Sequence, residues 1–304
     1  MRQITVILNP KAGRGMGTLR RPELERRLKE VVSQCAEPIA WKIIETEAKG
    51  QGIVLAHEAA KTGADTVAAA GGDGTLNEVV NGLVGTEAIL GLLPMGTGND
   101  FARCLGIGTD LQKGIETLIY GKARPVDLGQ AHGRWFLNIA GCGFDAQVAE
   151  RANRGFPLLR GTGAYLAAIA HSLLHLKPAT LTLTLDGETQ TIRALMCSVA
   201  NATSYGGGMM VTPDAKIDDG LFDICLLRAA GRLEFLLAFP RVFKGTHTMH
   251  KRVTMLRAKV VRIESDVPLP LLIDGEVIGT TPVEFILVSH AIRVMAPSEQ
   301  IILA

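Results

Sequence analysis

Cysteine is sparse in this sequence and follows no pattern. Cys35, Cys104, Cys142, Cys197 and Cys225 are scattered, odd in number and without C-x-x-C spacing. That argues against a disulfide framework and a thiolate zinc site, and fits buried free thiols in a reducing compartment. Long apolar runs are also missing. No stretch reaches the roughly 18–20 uninterrupted apolar residues that a membrane-spanning helix requires. Residues 163–176 come nearest, and they contain His171 and His175. The opening run MRQITVILNP is too short for a signal peptide and stops at Asn9-Pro10, a turn signal. The expectation is a cytoplasmic protein that meets membranes, the inner membrane surface included, from outside the bilayer. An excess of charge is lacking too. Lys and Arg number 32 against 30 acidic residues, a net charge of +2, which argues against nucleic acid as the main partner but leaves room for a local basic patch. There is no low-complexity segment, charge block or repeat of solenoid length.

What is present is enough apolar material for two cores: 304 residues, 47% hydrophobic. The first 120 residues alternate two patterns. Short apolar runs at 4–8, 39–45, 66–70 and 89–93 read as strands, and periodic segments at 18–33, 52–62 and 75–83 read as helices. Such alternation predicts an α/β domain with a doubly wound, mostly parallel sheet over 1–124. Beyond it, strand candidates follow one another at 124–130, 135–140, 180–185, 191–199, 222–227, 253–264 and 283–287. Several alternate apolar with polar, so a β-rich, antiparallel, sandwich-like domain is expected over 125–290, with helical stretches at 163–176 and 232–243. A strand edge left uncovered would support a homodimer, and the sequence does not locate one.

Glycine clusters at the ends of the predicted parallel strands. Asn9-Pro10-Lys11-Ala12-Gly13-Arg14-Gly15 follows the first, Thr46 to Gly52 the second, Gly71-Gly72-Asp73-Gly74-Thr75 the third, and Gly96-Thr97-Gly98-Asn99-Asp100 the fourth. Carboxyl ends of strands are where open α/β sheets bind ligands. Glycine lets the backbone approach a phosphate and aim N–H groups at it. A helix beginning at Thr75 would add its positive end. Lys11 and Arg14 can neutralise phosphate, and Asp73 can hold Mg²⁺ directly or through water. This outlines a nucleoside triphosphate site. It is neither a Walker A loop nor a dinucleotide fingerprint, because neither pattern occurs in place. One G-G-D-G alone is often only a turn; several such loops at successive strand ends are not.

These residues resemble the diacylglycerol kinase catalytic family, which includes soluble bacterial lipid kinases and the sphingosine kinases. GGDGTLNEVVNGL (71–83) is joined, in the same order, by NPKAG (9–13), PMGTGNDFAR (94–103), TPDAKIDDGLFD (212–223) and IDGE (273–276). The G-G-D-G core is shared with NAD kinases and phosphofructokinases; GTGND followed by Phe101 points to the lipid branch. The resemblance spans essentially the whole chain. It implies a cleft between a nucleotide-binding domain and a larger β-rich domain, with a last strand at 291–296 returning to the first. It implies ATP contacts at Asn9, Pro10, Lys11, Ala12, Gly13, Thr46, Gly71, Gly72, Asp73, Gly74, Thr75, Leu76, Asn77 and Thr97, with Gly96 and Gly98 in the same loop. It also implies a structural Mg²⁺ held by the Asp219 carboxylate and the carbonyls of Lys216 and Leu221. Without the resemblance, 216–221 is a plain acidic turn.

Phosphorylating an alcohol needs a proton acceptor. Two identical tripeptides offer one, Asp186-Gly187-Glu188 and Asp274-Gly275-Glu276. Asp-Gly is the strongest short hairpin signal, so both also read as turns. The flanks of the second are more apolar, and the family match falls there, implying Glu276 as base with Asp274 supporting it. Asp73 is the rival base, the position that sphingosine kinases use. Other features have plainer readings. His171 and His175 lie four apart with no third ligand, as on a surface or core face. His247 and His250, beside Lys244, Lys251 and Arg252, face anionic headgroups or form a solvated loop. The apolar stretch 165–176 lines a lipid cleft or packs in a core, and Cys142 reads as a small packed residue.

The sequence thus reads as an ATP-dependent lipid kinase moving the γ-phosphate to a lipid hydroxyl, with diacylglycerol the expected acceptor. A sphingoid base, phosphatidylglycerol, NAD or a sugar phosphate are alternative acceptors on the same platform, and a non-catalytic nucleotide sensor is the remaining reading.

Overall fold

A computed structural model describes residues 1–15, 17–154, 168, 171–174 and 177–298, with 14, 15, 17–20 and 152–154 described by backbone alone. The expected helix at 163–176 lies largely outside the described residues. The chain divides into two units: Met1–Leu128 with the stretch from Ser289, and Gly129–Val288.

The first unit runs β1 (Arg2–Leu8), α1 (Ala12–Gly15), α2 (Gly17–Val32), β2 (Ile39–Glu45), α3 (Gln51–Lys61), β3 (Thr66–Gly71), α4 (Asp73–Leu83), β4 (Ile89–Pro94), α5 (Asp100–Cys104) and α6 (Leu111–Tyr120). Strand order is β2-β1-β3-β4, every pair parallel. Val294, near the end of the chain, lies beside Leu90 as a further parallel neighbour. Residues 4–8 of β1 are buried on both faces, as a central parallel strand must be. Ile4, Val6 and Leu8 form one face and pack in a cluster with Leu24 and Leu28 of α2 and Ile115 and Leu118 of α6. The strand order reverses direction between β1 and β3. The loops that follow those two strands therefore leave the sheet side by side.

The second unit is antiparallel throughout, a β sandwich-like fold. Its elements begin with the end of β5 (Lys122–Ala131). They continue through β6 (Arg134–Phe136), β7 (Ile139–Gly143), α7 (Phe144–Arg154), β8 (Ala179–Leu185), β9 (Glu188–Ala200), β10 (Phe222–Arg228) and α8 (Arg232–Ala238). Then come β11 (Val253–Ala258), β12 (Val260–Ser265), β13 (Pro270–Ile273), β14 (Glu276–Thr280) and β15 (Val283–Ala296), whose later residues belong to the first unit. β9 changes partners along its length. Residues 188–194 pair with β8, and 196–200 lie between β7 and β10. Such a strand makes the corner of a sandwich. In the core, Phe136 stacks on Phe222 at 5.7 Å and meets Phe285 edge-on at 6.1 Å.

Several expected boundaries move, for identifiable reasons. The strand expected at 135–140 is interrupted because the N–H groups of Leu137, Asn138 and Ile139 donate to the Asp274 carboxylate at 2.8, 2.9 and 3.2 Å. The strand expected at 253–264 breaks at Lys259, where the N–H groups of Lys259 and Val260 donate to Asp186 at 3.0 and 2.8 Å. The helix expected at 232–243 is α-helical only to Ala238 and continues as a 3-10 turn, Phe239–Lys244, because Pro240 has no N–H to extend the ladder. The strands expected at 283–287 and 291–296 are one strand, re-aimed at His290, which has φ of 54° and donates its N–H to buried Asp127 at 2.7 Å. Among the described residues no helix is long and apolar enough to cross a membrane.

Phe136 is fully buried between two rings. Its replacement by Ala is expected to cost about 3–5 kcal/mol in denaturant unfolding followed by a probe in the second unit.

Candidate functional site

The first unit builds its site where β1 and β3 end. Asn9 continues β1, donating its backbone N–H to Ala70 at 3.0 Å, while its side-chain amide donates to Thr75 Oγ1 at 2.9 Å. Its Oδ1 accepts the N–H of Lys11 at 2.9 Å. One side chain thus joins the loop after β1 to the start of α4. That helix begins at Asp73, two residues before the expected Thr75. Its N-cap is Gly72, which supplies no capping side chain. The N–H of Leu76 already bonds Gly72 at 3.0 Å, so the first-turn donors outside the helix ladder are those of Asp73, Gly74 and Thr75. Gly74 is exposed, whereas Leu76 and Asn77 are buried. Any part Leu76 plays falls to its backbone environment.

The loops after β3 and β4 touch backbone to backbone. A Cβ on Gly96 would fall 2.3 Å from the Gly72 Cα, and one on Gly71 2.4 Å from Thr75 Oγ1. Met95 N–H bonds Gly71 at 2.9 Å. Asn99, with φ of 53°, closes the Gly96 loop by accepting the Gly96 N–H at 3.1 Å and donating back to its carbonyl at 3.0 Å. Thr97 at the tip is exposed and Gly98 half-buried. Asp73 Oδ1 accepts the N–H of Asp100 at 2.8 Å and of Phe101 at 3.4 Å. Burial, then the nearby Asp100 carboxylate, raises the Asp73 pKa above its ordinary value, and those N–H bonds pull it back. Thr46 continues β2 with its N–H on Leu8 at 2.9 Å. Lys11 is exposed, Pro10 lies in the preceding turn, and Ala12 and Gly13 open α1. Arg14 belongs to α1 by backbone; its side chain is outside the described residues. Glu78 escaped the sequence reading. From α4 it accepts the N–H groups of Gly50 and Gly52 at 2.8 and 3.0 Å, fixing the loop after β2. Nothing in its helical spacing signals that long-range role.

In the second unit the two Asp-Gly-Glu tripeptides adopt the same turn. Asp186 and Asp274 have φ of 48° and 44°, and the glycines after them 97° and 85°. Both aspartates use their carboxylates to hold distant backbone, as described above. The glutamates differ: Glu188 is exposed, while Glu276 is half-buried and pairs with Arg134 at 3.1 Å. At 216–221 the Asp219 carboxylate accepts the Leu221 N–H at 3.2 Å and pairs with the Arg257 guanidinium; Lys216 is exposed. Arg257 also reaches Asp223 at 3.5 Å, whose Oδ2 is buried without a hydrogen-bond partner.

The same unit contains a mostly apolar pocket. Phe144, Met209, Phe235 and Phe239 are among its walls, and among the described residues neither Lys nor Arg lines it. Its polar groups include Asp145, Tyr205 and His247. Asp145 is buried, accepts the Ala146 N–H at 2.8 Å, and lies 3.4 Å from the Ser198 hydroxyl and 3.5 Å from that of Tyr205. Burial pushes its pKa up to about 6. His247 is buried rather than facing headgroups or solvent; Nε2 lies 3.0 Å from the Val211 carbonyl, and burial lowers its pKa. Cys142 is a buried free thiol whose pKa burial raises far above the ordinary range, which fits packing rather than nucleophilic chemistry. His175 lies outside the described residues, and His171 is exposed.

Two family models match this chain: the diacylglycerol kinase catalytic domain over residues 3–131, and the YegS C-terminal NAD kinase beta sandwich-like domain over residues 138–296. A protein of Bacillus subtilis named diacylglycerol kinase is 33% identical over 305 residues, covering 99% of this chain and 98% of that protein. A Mycobacterium tuberculosis protein of the same name is 33% identical, covering 97% and 95%. A crystal structure of a diacylglycerol kinase from Bacillus anthracis has the same fold, with a TM-score of 0.74 at 22% identity over 99% of this chain and 98% of that one.

Two outcomes follow from this geometry. Gly96→Ala forces the loops after β3 and β4 apart and should weaken ATP binding about tenfold or more, the effect of 1–3 kcal/mol of overpacking strain, read by calorimetric titration. Asp145 has a folded-state pKa above its unfolded value, so its protonated form favours the folded chain. That contribution, roughly 3 kcal/mol, is present in full below about pH 4 and is lost as pH rises through about 6. Asp145→Asn should remove this part of the pH dependence in denaturant unfolding between those limits.

Proposed function

The chain belongs to the diacylglycerol kinase family, phosphotransferases with an alcohol as acceptor, and on that premise we propose that it transfers the γ-phosphate of ATP to the hydroxyl of diacylglycerol, forming phosphatidic acid. The observation that carries the choice of a lipid is the pocket of the second unit. Among the described residues its walls are mostly aromatic, aliphatic and methionine side chains, with Asp145, Tyr205, Glu234, His247 and His250 as polar groups and no Lys or Arg to receive a phosphate. NAD or a sugar phosphate would need such groups; an acyl chain needs none. The nucleotide domain is taken as 1–124 with 291–304, and the acceptor domain as 125–290. The protein works as a peripheral visitor to the cytoplasmic membrane surface.

In this reading the triphosphate lies on the glycine loops. The N–H groups of Asp73, Gly74 and Thr75 face its oxygens, Lys11 and Arg14 offset charge, and the hydroxyls of Thr46 and Thr97 complete the cradle. Asp73 would hold Mg²⁺ bound with ATP, which would supply positive charge to the phosphate oxygens. Glu276 accepts the proton of the attacking hydroxyl as the lipid oxygen bonds to the γ-phosphorus and the bond to ADP breaks. Arg134 orients Glu276, and Asp274 holds the turn that presents it. Because positioning and electrostatics supply most of the rate, the base contributes a factor rather than the whole. A second Mg²⁺ at 216–221 is supported by the chemistry of the donors, the Asp219 carboxylate and two carbonyl oxygens, and by the unpartnered Oδ2 of nearby Asp223. Asp219 would exchange Arg257 for the ion.

Radiolabelled ATP offered with diacylglycerol, sphingosine, phosphatidylglycerol, NAD and a sugar phosphate tests this directly. Label is expected on diacylglycerol. Glu276→Ala should lower kcat about 10²–10⁴-fold with ATP affinity unchanged, whereas Asp73→Ala should weaken ATP and Mg²⁺ binding as well. Full activity in Glu276→Ala would move the base to Asp73, and label on NAD or the sugar phosphate alone would overturn the lipid assignment.

A further inference from the structure

The outer wall of the pocket has a second face. Residues 232–251 comprise α8, the 3-10 turns Phe239–Lys244 and Thr246–Met249, and the short links around them. Phe235, Ala238, Phe239, Val242 and His247 turn inward and line the pocket. Leu233, Leu236, Leu237, Phe243 and Met249 turn outward, with exposures of 69%, 52%, 70%, 52% and 86%. These are five of the eleven exposed large apolar side chains among the described residues, gathered in one short stretch. Leu233, Leu236 and Leu237 have i, i+3, i+4 spacing and share one side of α8. A cluster of that kind marks an interaction surface rather than scattered exposure.

Charge identifies what the surface meets. In a chain whose charges nearly balance, residues 232–252 hold Arg232, Arg241, Lys244, Lys251 and Arg252 against the single acid Glu234. Glu234 is itself engaged by Arg252 at 3.3 Å. Arg232, Arg241, Lys244 and Lys251 are exposed. An apolar centre with a cationic fringe complements acyl chains beneath anionic headgroups. Continuity with the pocket points the same way. The rings of Phe144, Phe235, Phe239 and Phe243 contact in series at 4.6, 5.8 and 6.1 Å, leading from the interior of the pocket to the exposed face.

We propose that this face seats the protein on an anionic lipid surface, with Leu233, Leu236, Leu237, Phe243 and Met249 in the acyl boundary and the four exposed cations among headgroups. The acceptor then enters the pocket from the bilayer along the phenylalanine series. The second statement rests on the lipid-kinase reading; the first does not.

Vesicle flotation tests it, using phosphatidylcholine with and without phosphatidylglycerol. Wild type should float with the anionic vesicles, less at high salt. The doubles Leu233→Ser/Leu237→Ser and Lys244→Glu/Lys251→Glu should each bind about tenfold or more weakly, while Val54→Ser, an exposed change elsewhere, binds as wild type. All should still phosphorylate a short-chain diacylglycerol dispersed as monomers. Vesicle binding unchanged in both doubles, or absent in wild type, overturns the proposal. So does a wild-type dimer in sedimentation that Leu233→Ser/Leu237→Ser dissociates, since a second copy would then cover the face. Vesicle binding that behaves as expected, from a protein that phosphorylates no lipid in any form, sustains the docking face and defeats the lipid-kinase reading.

Discussion

Carboxylates that accept backbone N–H groups from distant segments hold the loops of this chain in place. Glu78 takes those of Gly50 and Gly52, and Asp73 those of Asp100 and Phe101. Asp127 takes that of His290, Asp186 those of Lys259 and Val260, and Asp274 those of Leu137 to Ile139. An ionised acceptor makes stronger bonds than a neutral one, and several N–H groups on one carboxylate fix a loop without a regular ladder. In the first unit this ties down glycine-rich loops that have few side chains to pack. The N–H groups of Asp73, Gly74 and Thr75, outside the ladder of α4, belong to a loop held by these bonds. Gly72 and Gly96 approach closely beside these bonds.

The two Asp-Gly-Glu turns share this device and differ in their glutamates. Asp186 and Asp274 occupy equivalent turns, and both carboxylates hold distant backbone. Glu276, half-buried, pairs with the Arg134 guanidinium at 3.1 Å.

This division explains what the sequence made legible. The doubly wound sheet was readable because β1, β3 and β4 are short apolar runs punctuated by glycine, a local signal. The sandwich-like class was readable from alternation. The breaks within 135–140 and 253–264 were not, because alternation continues through both and the aspartates that interrupt them lie far away in sequence. Pro240 did announce the end of α8, and a helical reading through it overrode that signal. Glu78, Asp145 and Arg134 were missed for the same non-local reason. His247 sits in a basic, polar-looking stretch, yet the 3-10 turns place it inside; only the three-dimensional path of 239–249 decides that.

A phosphotransferase for lipids must reconcile a polar nucleotide with an apolar acceptor. The first unit offers backbone donors at the start of α4, and the second a mostly apolar pocket lined, among the described residues, by neither lysine nor arginine. The measurement that bears most directly on this account is photocrosslinking with a diacylglycerol carrying a diazirine in its acyl chain, mapped by peptide mass spectrometry. Adducts on the peptides bearing Phe235 and Phe239, displaced by unlabelled diacylglycerol, are the predicted result. Adducts confined to other regions, or none that diacylglycerol displaces, would contradict it.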